Sequence, residues 1–180
     1  MPVKITQLGA SEDSRYHKEF QKYATTWRRL YKSRVELKPV NILDPDTVID
    51  AWANVQSADI VVLHISQNFV AALELLTDWQ SGHNLVLDEL TQQRQTKSSR
   101  IIPIILKPCT WLEIEVLKDL QPLPNRECTV STFPGSADGA WVAVTGSIRE
   151  VILEYLSVCR RCGSSLADDA LYCNDCGSEV

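Results

Sequence analysis

Several features that would assign this chain to a common functional class are missing from its sequence. Basic residues do not exceed acidic ones, and the net charge of −5 disfavours electrostatic coating of nucleic acid. No apolar run approaches the roughly 18 residues that are needed to span a bilayer. The N-terminal residues soon turn polar and do not have the pattern of a secretory leader. We therefore expect a soluble, cytoplasmic protein.

The sequence also lacks a glycine-rich phosphate loop. The segment GASEDS (Gly9–Ser14), which follows the first predicted strand, carries a single glycine. It matches neither the dinucleotide-binding fingerprint nor the P-loop. If this chain binds a nucleotide, it does so without either of these two motifs.

What the sequence does contain is an alternation of apolar strands with amphipathic helices. Residues 58–66 and 100–106 are nearly continuous β-branched runs, which is typical of strands buried on both faces. The alternation predicts a parallel sheet covered by helices on both faces. Strands are predicted at residues 3–8, 34–40, 58–66, 100–106 and 127–132, and helices from about residue 14 to 30 and at 48–55, 83–95 and 139–158.

Ligands of such sheets bind beyond the carboxyl ends of the strands, near the point where the strand order reverses. The residues at these ends that could contact a nucleotide are Gly9, Ser11, Asp44 and Ser66. We predict that they gather around one cleft. Ser66 has a second interpretation, because a serine at the end of a strand can equally cap the next helix.

The last residues of the chain hold four of its 6 cysteines, arranged as two Cys-x-x-Cys pairs. Each pair is followed directly by a glycine, and this spacing is typical of a tetrahedral zinc site. Two disulfides or a redox-active pair are the alternatives, and a reducing cytosol disfavours both. Because cysteine fills every ligand position, we expect a structural zinc held by Cys159, Cys162, Cys173 and Cys176.

A series of motifs resembles the bacterial Toll/interleukin-1 receptor (TIR) domains. In order along the chain these are SADIVVLHISQNFV, LDEL, RIIPIILKPCTW, LQPLPN and FPGSADGAWVAVTGSIREVI, within residues 57–152. The resemblance implies a flavodoxin-like, doubly wound sheet of five parallel strands over residues 1–157. The two cysteine pairs predict a small zinc ribbon at 158–180. Residues 1–56 depart from the family pattern, because ITQLGAS and the glycine-free NILDPD stand in its N-terminal strand and loop.

The resemblance also implies a function. Bacterial TIR domains often cleave NAD at the nicotinamide–ribose bond in defence or signalling systems and are activated by self-association. The catalytic glutamate of the family matches Glu89 in LVLDEL, and Asp88 is the runner-up if the register differs by one. A non-catalytic TIR adaptor that assembles signalling complexes is the alternative, and a nucleotide-sensing Rossmann-like module is a third option. In each case the zinc ribbon is expected to contact a protein partner, because its surroundings are acidic.

Overall fold

The computed structural model describes residues 2–77, 83–96, 99–159, 161–167, 170 and 172–179. Strands and helices alternate along this part of the chain, and none of its helices is both long and apolar enough to cross a bilayer. The elements are β1 (Val3–Gly9), α1 (Ser14–Tyr31), β2 (Val35–Ile42), α2 (Val48–Gln56), β3 (Ile60–Ile65), α3 (Gln67–Leu75), α4 (Leu85–Thr96), β4 (Arg100–Ile105) and α5 (Ala137–Leu156).

The strands form one parallel sheet in the order β2-β1-β3-β4. The predicted parallel sheet is therefore confirmed, and its order is that of a flavodoxin-like fold. The predicted number of five strands is wrong, because the described residues form a sheet of 4 strands. The chain passes from β1 outward to β2 and from β3 outward to β4, so the strand order reverses between β1 and β3.

Helices cover both faces of this sheet, as the sequence predicted. On one face α1 and α5 pack around Phe20 and Trp141, which are fully buried. On the other face α2, α3 and α4 pack around Phe69 and Leu90. Strand β3 lies between these layers with every side chain from Ile60 to Ile65 buried. Each face of the sheet is therefore closed by its own apolar core.

The helices differ from their predictions in boundary and in face. Helix α3 was not predicted, although Ser66 in front of it has the signature of an N-cap. The spacing of the apolar residues at 16, 20, 23, 27 and 30 predicts one buried stripe for α1, but Leu30 is 55 % exposed. The predicted face of α2 contains positions 48, 49, 52 and 55; Val55 is buried, whereas Ile49 is 58 % exposed and Ala51 is buried instead.

The strand predicted at residues 127–132 is wrong, and local hydrogen bonds explain why. The Asn125 side chain accepts bonds from the backbone N–H groups of residues 127 and 128 at 2.8 and 2.9 Å, which turns the chain. Thr129 and Thr132 then close a capping box around a single 3-10 turn. These short polar side chains satisfy backbone groups that a strand would have used. Val130 is nevertheless buried, so the segment still contributes to the core.

Gly9, at the end of β1, is required for close packing. A methyl group at this position would lie 2.7 Å from Cε1 of His17 and 3.1 Å from Cγ1 of Val40. We predict that Gly9→Ala lowers the free energy of unfolding by about 1–3 kcal/mol, because the buried His17 ring must move. Chemical denaturation measures this change.

Gly146 provides the matched control. It lies inside α5, and a methyl group there would meet nothing within 4 Å. We expect Gly146→Ala to stabilise the protein by up to about 1 kcal/mol, because alanine favours the helix. If Gly9→Ala proved as stable as the parent, the packing at this position would be misassigned.

Candidate functional site

Ser66, at the carboxyl end of β3, is the N-cap of α3. Its hydroxyl accepts hydrogen bonds from the backbone N–H groups of Asn68 and Phe69, at 3.1 and 3.2 Å. It also donates a hydrogen bond to the carboxylate of Asp13. A hydroxyl offers one donor and two acceptor positions, so all three are used within the protein. Of its two predicted roles, the structure places Ser66 in the capping role.

Asp13 also lies at this edge of the sheet, although the sequence did not predict it as a site residue. It is 1 % exposed, and its carboxylate also accepts a hydrogen bond from the Asn68 side chain at 3.3 Å. In the ranges that the structure describes, Asp13 forms no ion pair. Its position just before α1 is that of a possible helix cap. In the fold it joins the carboxyl ends of β1 and β3, where the strand order reverses.

Two histidines extend this polar cluster into the core. Nε2 of the fully buried His64 lies 3.1 Å from the Gln7 side-chain oxygen, so this nitrogen donates the hydrogen bond. The His17 ring packs edge-on against it, with the ring centroids 5.0 Å apart. Burial lowers the pKa of both histidines, although the nearby Asp13 charge partly opposes this for His17. Both rings are therefore neutral at neutral pH.

Two of the other predicted nucleotide-binding residues, Ser11 and Asp44, lie in separate turns. The Ser11 hydroxyl is exposed and donates to Glu12 at 3.0 Å. The Asp44 carboxylate accepts from the backbone N–H groups of Asp46 and Thr47 at 2.9 and 3.0 Å, which fixes the turn before α2. Neither side chain makes a hydrogen bond to Ser66. The structure therefore does not join the four predicted residues into one polar network.

Glu89 lies at the interface between α4 and α2. Glu89 is only 7 % exposed. Its two carboxylate oxygens accept hydrogen bonds from the side chains of Gln56 and Gln93, each at 3.1 Å. Gln93 in turn donates to the Val55 carbonyl at 2.6 Å, which ties α4 to α2. Among the described residues no lysine, arginine or histidine forms an ion pair with Glu89. Within the described chain this buried carboxylate is therefore held by hydrogen bonds from neutral amides and by no cation.

Asp88, the alternative to Glu89, lies on the outer side of the same helix. Its side chain is 58 % exposed and pairs with His83 at 3.2 Å. The two acidic residues thus differ sharply in environment, although they are adjacent in sequence. Neither residue contacts Ser66 or Asp13 by a hydrogen bond, so the acidic pair and the Ser66–Asp13 cluster form two separate polar networks.

The four cysteines at the end of the chain do come together. All four sulfur atoms lie within 4.8 Å of one another. The Sγ atoms of Cys159 and Cys176 are 3.7 Å apart, and those of Cys162 and Cys173 are 3.6 Å apart. Four thiolates at 2.3 Å from a tetrahedral zinc would be separated by about 3.8 Å, so the spacing suits such an ion. The cluster can hold a metal ion.

The two halves of this cluster repeat one geometry. In each Cys-x-x-Cys-Gly-Ser segment, the glycine N–H donates to the carbonyl of the first cysteine, at 2.7 Å for Gly163 and 2.8 Å for Gly177. Both glycines have positive φ, 76° and 68°, which a side chain would strain. A hydrogen bond from the Ser178 hydroxyl lowers the pKa of Cys159 to about 6. This thiol therefore ionises more readily than an ordinary cysteine.

The fold and this cluster define a flavodoxin-like α/β domain that carries a C-terminal cysteine module able to hold a metal ion. No protein family model matches the sequence, and no curated protein matches it. Among solved structures, the chain is similar to the "Crystal structure of the RPS4 and RRS1 TIR domain heterodimer". The two are 18 % identical, with a TM-score of 0.48, over 82 % of this chain and 95 % of that one.

The cysteine cluster predicts one bound metal ion per chain. We expect Cys173→Ser to abolish stoichiometric binding, because it removes a buried ligand and a module of this size needs such a staple to fold. Metal analysis by mass spectrometry after gel filtration measures the content. Cys128→Ser is the matched control, since Cys128 lies outside the cluster. A parent protein that carries no metal after purification in reducing buffer would contradict the assignment.

Proposed function

We propose that this chain is a TIR-like enzyme that cleaves NAD at the nicotinamide–ribose bond, with Glu89 as its catalytic carboxylate. The resemblance of its motif series to bacterial TIR domains supports the family and the reaction. The observation that carries the assignment of Glu89 is its buried carboxylate, which has no cationic partner among the described residues. Burying a charge in this way is costly, and such residues are concentrated at functional sites.

The reaction asks little of the protein beyond a well-placed negative charge. Nicotinamide leaves as a neutral molecule from a cationic ribosyl linkage, so no general acid is needed. The transition state resembles an oxocarbenium ion, as in glycoside hydrolysis. A carboxylate held near the ribose stabilises that positive charge in the transition state. Glu89 can do this because its charge is not already neutralised by an arginine or lysine of the described chain.

Glu89→Gln tests this role while keeping the size of the side chain. We expect nicotinamide release to fall by about 10²–10³-fold, because the stabilising charge is lost. Asp88→Asn is the matched control, since Asp88 is exposed, and its activity should stay near that of the parent. Release of nicotinamide from NAD is measured by chromatography, and circular dichroism checks that both variants are folded.

Two outcomes would redirect the assignment. A Glu89→Gln variant as active as the parent, together with an inactive Asp88→Asn variant, would move the catalytic role by one residue. A parent that turns over no NAD, even at high concentration, would favour the non-catalytic adaptor. One observation supports that second function: the hydroxyl of Ser66 and the carboxylate of Asp44 are already engaged within the protein.

We further propose that the ion in the cysteine cluster is zinc and that its role is structural. Four thiolates fill a tetrahedral shell, so no position is left for an activated water or a substrate. The proposed ribbon spans residues 158–180 and follows α5 directly, and the Leu166 N–H donates to the Ser157 carbonyl at 2.8 Å. In this position the ribbon provides a surface for protein contacts and is not a part of the reaction site.

If the ribbon contributes protein contacts, its removal should reduce self-association. We expect the full chain to self-associate as its concentration rises and a truncated chain, residues 1–157, to remain folded but to associate less. The strands and helices of the α/β domain are complete before Cys159, which is why the truncated chain should fold. Multi-angle light scattering over a concentration series gives the masses. Equal masses for both proteins would rule out a contribution of the ribbon to assembly.

A further inference from the structure

The outer edge of β4 is only partly paired. The backbone N–H of Arg100 donates to the Asp59 carbonyl, at 2.8 Å, on the β3 side of the strand. Backbone groups alternate in direction along a strand, so even-numbered residues of β4 bond to β3 and odd-numbered residues point outward. Pro103 occupies an outward position, where its missing N–H costs no hydrogen bond to β3. Ile101 and Ile105 are the other outward residues.

Leu123 covers the upper part of this edge. Its carbonyl accepts from the Ile105 N–H at 2.9 Å, and its N–H donates to the Pro103 carbonyl at 2.8 Å. Pro122 and Pro124 flank it and have no N–H to donate, so this segment cannot extend the ladder. Within the described chain, the outward N–H and carbonyl of Ile101 have no hydrogen-bond partner.

A cleft of about 550 Å³ lies beside this unpaired residue. Its lining combines apolar side chains, among them Leu120, Leu123 and Val151 of α5, with charged ones. Ile101 lines the cleft and is only 7 % exposed, so its polar backbone groups are poorly placed for bulk water. Such groups are normally paired, and in a groove of this shape an extended backbone would pair them.

The charges at the cleft indicate which charge a bound extended segment would carry. Arg94 is engaged by Asp119 at 2.9 Å. Arg100 is exposed and, among the described residues, has no acidic partner. Pairing of β4 with β4 of a second copy would bring both copies of Arg100 together and would be repulsive. An acidic residue opposite Arg100 would instead be attracted.

We propose that this cleft is a docking site for an extended, acidic segment of a different protein, which adds to the sheet as a fifth strand beside Ile101. The segment pairs its backbone with the N–H and carbonyl of Ile101 and places an acidic side chain near Arg100. Its apolar neighbours fill the space between Leu123 and Val151. This site does not depend on the proposed NAD cleavage, and it uses none of the residues assigned to that reaction.

Fluorescence anisotropy with short labelled peptides tests the docking site on the full chain. The probes are acetylated Thr-Val-X-Val-Thr peptides in which X is glutamate, glutamine or lysine. We expect the glutamate peptide to bind best and the lysine peptide about tenfold more weakly. Arg100→Glu should reverse this order. Backbone N–H groups alternate in direction along a strand, so of two glutamate peptides N-methylated at X or at the following valine, one should lose binding and the other should keep it.

A pair of variants on α5 locates the binding. Ser147→Trp fills the cleft and should abolish binding of the glutamate peptide. Val142→Trp is the matched control, because Val142 is 61 % exposed on the same helix and does not line the cleft. The proposal is overturned if no peptide binds, if all three bind equally, or if N-methylation has no effect. It is also overturned if the parent forms a dimer that Ser147→Trp dissociates, since a second copy would then occupy the cleft.

Discussion

The complete burial of β3 is the constraint on which the rest of the fold depends. All of its side chains from Ile60 to Ile65 are buried, and they alternate between the two faces of the sheet. Both faces therefore need an apolar cover, which the crossover helices of a parallel sheet supply. The same constraint applies to His64, which lies inside β3: burial lowers its pKa and keeps the ring neutral, and the Gln7 side chain accepts the hydrogen bond of its Nε2.

Elements whose structure is decided locally could be predicted from the sequence. The β-branched runs of β3 and β4 have no competing local hydrogen bonds, and the cysteine pairs carry their own turn glycines, Gly163 and Gly177. The segment at 127–132 has β-branched residues too, but its fate is decided by Asn125, whose side chain captures two backbone N–H groups. The composition of this segment does not show whether its backbone N–H groups will bond to a nearby side chain or to a neighbouring strand.

For the candidate site, the sequence predicted which residues lie there and roughly where. It did not predict which partners within the protein already use their hydrogen-bonding groups. Ser66 lies at the carboxyl end of β3 as expected, yet its capacity is used by α3 and Asp13. That pairing joins residues 53 positions apart, so no local pattern could have indicated it. Glu89 is similar: its helix was predicted, but the amide from Gln56 reaches it only because α2 and α4 pack together.

The proposed reaction places a specific demand on α2. Each oxygen of the Glu89 carboxylate accepts one hydrogen bond from a glutamine amide, so a ribosyl cation must share the carboxylate with these amides or displace one of them. Gln93 lies one turn further along α4 and is anchored to the Val55 carbonyl, whereas Gln56 is the last residue of α2. Access to Glu89 therefore requires the Gln56 side chain to move away, alone or together with the end of α2. Helix α2 begins at the turn that Asp44 holds, so this one helix lies between that turn and the Glu89 carboxylate.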